Sequence, residues 1–369
     1  MSDAPGAVAK AFLDALPSLD FKKMVDDARR QLSIVVMGDQ EPAERIVDVL
    51  RGDGLVPEDS RLQIWRHTPG EPAPKDSGKP ELVIVVPATP EYVADARLAF
   101  SGVPLIPIVL GDGAFNADLV DPLVMSHVER SAIRRLLVPR LATSLWDRRL
   151  ALGRGLPGMR RHLAWRLTQA ASKDPRVLLG SVAGAGAGRS GAPTAATAQL
   201  LMHQAALIVA IAAISGSSLD ERTAIFKRAA PTMVPTLLLD GAEAGLSRFA
   251  TGGGDRKYGK IYGQVAAYLA RPALSASSTL LAGTLARRAF REGDDAPNPS
   301  VLENTRSAGR RLVVGAAQGA AVAVAAVGTK LRLPGRARPN PAPPTADQAQ
   351  PELGDVAVSR EDMDGAAQP

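Results

Sequence analysis

The chain has no cysteine in its 369 residues. Disulfides, thiolate zinc sites and thiol catalysis are therefore excluded, and nothing of this kind points to an oxidising compartment. Aromatic residues make up only 4%, too few for an aromatic-rich sandwich, whereas the abundant Ala and Gly favour closely packed helices. Only four histidines occur, His67, His127, His162 and His203, and their spacing does not suit metal ligation. His203 lies beside Gln204 in an apolar stretch and reads as a satisfied core residue rather than a base. Neither Ser190 nor Ser215 sits in a nucleophile elbow. The first thirty residues lack a basic start followed by an apolar run and carry Lys10, Asp14, Asp20, Lys22 and Lys23. No secretory leader is expected, and the expected location is the cytoplasm.

A second set of absences concerns nucleotides. The apolar run Leu32–Met37 ends at Gly38 and passes into a helical stretch, which is where a phosphate-binding loop would sit. Such a loop needs glycines to expose backbone N–H groups, a lysine to neutralise phosphate and a Ser or Thr for magnesium. Counting from Gly38, those positions hold Ala43, Glu44 and Arg45, and Pro42 removes one more donor. No Asp-x-x-Gly occurs between 31 and 120, and no Asn-Lys-x-Asp occurs anywhere. Gly111-Asp-Gly-Ala114 occupies the place of a guanine-reading loop. The run Gly186-Ala-Gly-Arg-Ser-Gly191 fits G-x-G-x-x-G, but the required acidic residue about twenty positions on is replaced by the charge-free Ala205–Ile211. It reads as a flexible loop. No catalytic, cofactor-binding or metal-ligating residue is assigned.

What is present divides along the chain. Residues 6–30 read as amphipathic helices broken near Pro17, with Phe21, Met24, Val25 and Ala28 on one face. Strands are expected at Leu32–Met37, Leu62–Trp65, Leu82–Val86, Pro104–Leu110 and Leu123–Met125, and helices at Pro42–Leu50 and Pro90–Phe100. This alternation predicts a mostly parallel sheet covered on both faces. From about Ser131 the period turns helical and stays so to about 330. Ser218-Leu-Asp-Glu221 forms a capping box, and Thr251–Asp255 is a glycine-rich loop. Residues 335–369 are Pro-rich, then acidic, and read as disordered. That tail carries Asp347, Glu352, Asp355, Glu361, Asp362 and Asp364 against Arg360. The chain's net +6 thus divides into −5 on residues 339–369 and +11 on the body. A basic body suits an anionic partner, lipid or nucleic acid, although solvated arginines on helix faces would give the same balance.

The helical half opens with Leu152-Gly-Arg-Gly-Leu-Pro-Gly-Met-Arg160. It continues through a helix past Thr168 and a loop with Pro193 and Thr194 into Gln199–Gln204, then an apolar run to Gly216. It closes with Lys257-Tyr-Gly-Lys-Ile-Tyr-Gly263 to Phe290. Over residues 152–292 this pattern resembles the helical domain of unknown function that follows GTPase domains in YcjF-like bacterial proteins. It departs from that family in the Gly/Ala-rich loop 184–192, where the family has a proline-glycine-aspartate turn. The resemblance implies a membrane-associated domain without established activity, and makes the upstream α/β domain look like a degenerate GTPase.

The fold class expected is therefore α/β plus all-α: a P-loop-GTPase-like, mostly parallel sheet followed by a helical, membrane-prone domain. The expected segments are amphipathic helices at 1–30, the α/β domain at 31–130, the helical domain at 131–292, an Ala/Gly/Val-rich helix at 293–334 and the tail at 335–369. Membrane proneness rests on three features. Ala205–Ile214 is apolar but too short to span about 30 Å of hydrocarbon. Leu312–Thr329 has no charge, holds Gly315-x-x-x-Gly319 and is flanked by Arg310, Arg311, Lys330 and Arg332, so it suits a span, a buried hairpin or an interfacial helix. Residues 129–166 hold ten arginines interleaved with Trp146 and Trp165, a surface suited to anionic lipid or simply a solvated face whose arginine stems cover apolar surface. The function expected is a non-catalytic accessory or scaffold protein at the inner face of the cell membrane. Its expected partners are an anionic membrane surface, a protein or a second copy of the chain, with nucleic acid disfavoured for want of any recognition motif. The alternatives are a GTPase-related nucleotide binder with unorthodox motifs, or a basic nucleic-acid-binding protein.

Overall fold

Strand β1 (Leu32–Gly38) is buried at every position, which requires cover on both faces of the sheet it centres. The computed structural model describes residues 20–71, 79–111, 121–174, 195–220, 225, 228 and 275–290, and they show where that cover comes from. Five parallel strands, β1, β2 (Leu62–His67), β3 (Leu82–Val86), β4 (Leu105–Leu110) and β5 (Leu123–Met125), line up in the order 2-1-3-4-5. Register is set by pairs such as Ile34 with Ile64 and Leu82, Ile84 with Ile106, and Leu110 with Met125. This is a doubly wound sheet: the chain moves outward from β1 in both directions, with a switch point between β1 and β3.

Side chains alternate across the sheet with period two. Val35, Met37, Val83, Val85 and Val109 face α3 (Pro90–Ala99) and meet Val93, Ala96 and Phe100 in one buried cluster. Ile34, Val36, Leu82, Ile84, Val86, Ile106 and Ile108 face the other way. There they meet α1 (Phe21–Ala28), α2 (Gln40–Arg51) and everything that follows β5. That second layer comprises α4 (Arg130–Ala132), a π-helical segment (Ile133–Leu137), α5 (Val138–Ser144), a 3₁₀ turn (Trp146–Arg148), α6 (Arg149–Gly155), α7 (Pro157–Ser172) and α8 (Ala195–Ile214). A helix, α9, covers 275–289. The expected boundary at 130/131 falls inside one continuous core, since Leu141, Leu163 and Ile211 belong to the same buried cluster as Ile34 and Ile46.

Local chemistry explains the helix ends. The Asp20 carboxylate accepts the Lys23 N–H at 3.0 Å and starts α1. Thr89 accepts from the Tyr92 N–H at 3.2 Å, with Pro90 in the first turn of α3, where its missing N–H costs nothing. Pro42 is accommodated likewise in the first turn of α2. Gly52 ends α2 at φ +59°, a conformation glycine adopts without strain. From Ala205 to Ile214 helix α8 is apolar all round because it is enclosed: Leu207, Ile208, Val209, Ile211 and Ile214 are all buried. Its hydrophobicity is thus taken up by the core, and among the described residues no helix is long and apolar enough to cross a membrane. Leu312–Thr329, the loop 184–192, the 251–255 loop and the acidic tail lie outside the described residues.

Glycines set how closely α6 and α7 approach their neighbours. A Cβ on Gly155 would sit 2.3 Å from the Leu62 Cβ, and one on Gly158 would sit 2.1 Å from the Val49 carbonyl oxygen. The Gly158 contact is the harder of the two, because its partner is backbone. Gly158→Ala is expected to lower unfolding free energy by about 3 kcal/mol, measured as an earlier urea midpoint at unchanged slope; a loss of only a few tenths would show that α2 and α7 slide apart freely.

Candidate functional site

In doubly wound sheets ligands bind outside the carboxyl ends of the strands, at the switch point. Among the described residues, the strand ends at that edge are drawn closely together. At the end of β1, Gly38 (φ +143°) lies so near β3 that a Cβ would fall 1.7 Å from the Val86 carbonyl oxygen. One residue, Asp39, then joins β1 to α2. The Asp39 N–H donates to the Val86 carbonyl at 3.1 Å, the Ala88 N–H to Ile108 at 2.7 Å and the Gly111 N–H to Met125 at 2.9 Å. Backbone donors at three strand ends are thus engaged between strands. The Asp39 carboxylate makes no cap on α2 and instead accepts the Tyr92 phenol at 2.8 Å, a bond that holds the phenol's pKa above its ordinary value.

The three positions counted from Gly38 all lie within α2. Ala43 is fully buried in the core. Glu44 accepts from Gln40 at 3.2 Å and pairs with Arg66 of β2. Arg45 pairs with Glu41 at 3.0 Å and reaches the Val128 carbonyl at 3.3 Å. Each side chain is engaged with a protein neighbour. Of the expected guanine-loop position, only Gly111 is among the described residues.

The histidines remain apart. His67, at the end of β2, is buried and packs edge-on against Trp65 and Phe100, and burial depresses its pKa. His127 is exposed after β5, while His162 and His203 are half-buried on α7 and α8. The buried polar residue of α8 is the neighbour, Gln204, which donates to the Ser278 and Thr279 hydroxyls of α9. Among the described residues no cluster of three or more His, Cys, Asp or Glu could hold a metal.

The arginine-rich stretch sorts into two populations that composition cannot separate. On the outer side, Arg130 pairs with Asp53 and Arg140 with Asp121, while Arg149 and Arg166 flank the Trp146 ring at 4.9 and 5.0 Å. Arg134, Arg135 and Arg161 are exposed. Two others are buried. Arg160 is 9% exposed, and its guanidinium donates to the carbonyls of Gly153, Leu55 and Arg154. Burial, with the nearby Arg154 charge, pulls its pKa down to about 10.

Arg154 is the second, at 1% exposure. Its Nε and Nη2 both donate to the Asp59 Oδ1, at 2.8 and 2.5 Å, and its Nη1 donates to the Ala213 and Ser217 carbonyls. The other oxygen of Asp59 accepts from Arg29 Nε at 2.7 Å, and Arg29 in turn grips Asp220. Burial pushes the Asp59 carboxyl up, but hydrogen bonds and charge from the two arginines outweigh it and hold it below the usual range. Asp59, in the loop before β2, was not singled out from the sequence. The available signal was Arg154 set between glycines in an otherwise apolar run, which demands a partner. No known protein family, curated protein or solved structure matches the chain.

Asp59→Asn keeps the shape but leaves the Arg154 charge buried without a carboxylate. The expected loss is about 3 kcal/mol in urea unfolding. Because the folded-state pKa of Asp59 is depressed, its contribution is complete above the unfolded carboxyl pKa, near 3.9, and is lost as pH falls through the lower folded value. The variant should accordingly show a flatter acid limb than the parent below about pH 4. Parallel acid limbs would exclude Asp59 as the titrating group.

Proposed function

We propose that this chain is a non-catalytic accessory or scaffold protein, in which a degenerate GTPase-type α/β layer carries a helical layer that associates with anionic membrane surfaces at the cytoplasmic face. The observation that carries the first half is the one-residue connection through Asp39. A phosphate-binding loop works by aiming several successive N–H groups at the ligand, and between Gly38 and Gln40 there is no length of chain to do so. Glu44 adds negative charge near the start of α2, where phosphate charge would have to be neutralised. The GTPase-type reading draws on the resemblance of residues 152–292 to the YcjF-like helical domain and not on the parallel 2-1-3-4-5 strand order, which is that of flavodoxin-like doubly wound sheets.

Support for the second half is electrostatic. The body's +11 and the exposed Arg134, Arg135 and Arg161 favour a negative surface. The contribution of the 129–166 stretch is smaller than its ten arginines suggest, because Arg154 and Arg160 are internal.

Isothermal titration with GTP and ATP in magnesium is expected to give no measurable heat of binding. A micromolar or tighter dissociation constant, unmatched by inorganic triphosphate, would sink the pseudo-GTPase reading and promote an unorthodox nucleotide binder. For the membrane, flotation should occur with anionic vesicles and not with neutral ones. It should weaken with added salt, because exposed charges are screened beyond roughly 8 Å at physiological ionic strength. Failure to float with either vesicle type refutes membrane association.

A further inference from the structure

Between α7, the end of α8 and the last turns of α9 lies an open cleft of about 740 Å³. That volume is suited to a small ligand. Four arginines line it, Arg160 and Arg161 from α7 and Arg287 and Arg288 from α9, with the hydroxyls of Ser215 and Thr284 also in its lining. Arg160 contributes charge while its guanidinium donates to backbone carbonyls, and the other three present their guanidinium groups to the cleft. Among the described residues, none that lines it is acidic. Arg161, Arg287 and Arg288 form no ion pair among the described residues. Arg287 lies half-buried over the Trp165 ring at 5.9 Å. Burial, and then the charges of Arg161 and Arg288, make its protonated form less favourable than usual.

A second observation is independent of this crowding. Helix α7 has sixteen residues and no acidic residue in its first turn, yet Arg160 and Arg161 follow directly on that turn. The positive end of the helix dipole therefore faces like charge where an anion would be favourable. Solvated arginines on a helix face do not explain this, because the four come from two helices separated by more than a hundred residues and converge on one concavity. Arg287 and Arg288 do sit in the last turn of α9, where cations suit the dipole, but that accounts for neither Arg161 nor the shared cleft.

We infer that this cleft is a binding site for a phosphate monoester. A terminal phosphate carries close to two negative charges and three acceptor oxygens, enough to engage several guanidinium forks at once. A phosphodiester offers one charge and fewer free oxygens. Ser215 supplies a neutral donor, whereas the Thr284 hydroxyl already donates to the Leu280 carbonyl at 2.8 Å and presents only an acceptor. The monoester could belong to a lipid headgroup or to a free phosphorylated small molecule. The site itself does not depend on the membrane reading above; only the lipid source does.

The test has two arms on the full-length chain. In solution, 10 mM inorganic phosphate is compared with chloride at equal ionic strength. The melting temperature should rise by about 3 °C in phosphate alone, as for a ligand near tenfold above its dissociation constant. Arg287→Ala should abolish the rise. Should that variant not fold, the double change Arg161→Glu and Arg288→Glu, at two exposed positions, should abolish it equally. No phosphate-specific rise, or the same rise in the variants, overturns the site. In the second arm, vesicles of phosphatidic acid and of phosphatidylglycerol are matched for total charge. A preference of about fivefold or more for phosphatidic acid, lost in the variants, assigns the lipid source. Equal flotation on both, or none, with the phosphate rise retained, assigns the free monoester; absence of flotation separately refutes the membrane reading while leaving the cleft in place.

Discussion

The carboxylate of Asp59 ties the loop before β2 to other parts of the chain. Through Arg154 it holds α6 and the end of α8; through Arg29 it holds the end of α1 and, by way of Asp220, the segment after α8. A guanidinium with 2% of its side chain exposed cannot be left uncompensated. The helical layer can therefore close only when the loop before β2 is in register beneath it. Apolar packing supplies most of the driving force, at roughly 1.5–3 kcal/mol for each fully buried large aliphatic, but apolar contact is permissive about angle and offset. The charged node adds a directional requirement that apolar contact lacks.

That requirement operates where there is little room for adjustment. Gly153, Gly155 and Gly158 place α6 and α7 against Ile214, Leu62 and the end of α2 at distances no side chain would permit. Close approach multiplies dispersion contacts and brings the guanidinium groups of Arg154 and Arg160 within hydrogen-bond reach of backbone carbonyls. The scarcity of aromatics has its structural counterpart here: layers are joined by small residues and aliphatics, and Trp65, His67 and Phe100 form one edge-on group at the rim of the smaller cluster.

Much of the α/β layer was legible in the residues. β-branched runs closed by Gly or Pro mark β1, β3 and β4, and Leu123–Met125 falls where expected. Period and punctuation are local properties, so they survive without tertiary information. The helices after residue 130 were also legible, but not their attachment. Their apolar faces read as the core of a separate domain because a sequence does not say which surface a face will meet. The arginines show the same limit more sharply. Arg134 and Arg154 have one composition and opposite fates, decided by a carboxylate ninety-five positions away for Arg154. The convergence of Arg287 with Arg161 is likewise a property of two helix axes and has no trace in spacing.

The unequal cover of the sheet also bears on how the chain is made. Helix α3 is encoded between β3 and β4, so one face of the sheet has its partner almost as soon as the strands emerge. The other face needs α4 to α8, roughly ninety residues beyond β5. At ribosomal rates of about 5–20 residues per second, those helices follow the last strand by several seconds. During that interval α1 and α2 are, among the described elements, what Ile34, Val36, Ile84 and Ile108 have beside them. The nascent chain thus passes through a stage in which an aliphatic sheet face is open to any passing hydrophobic surface, and quality-control factors have their longest access to it.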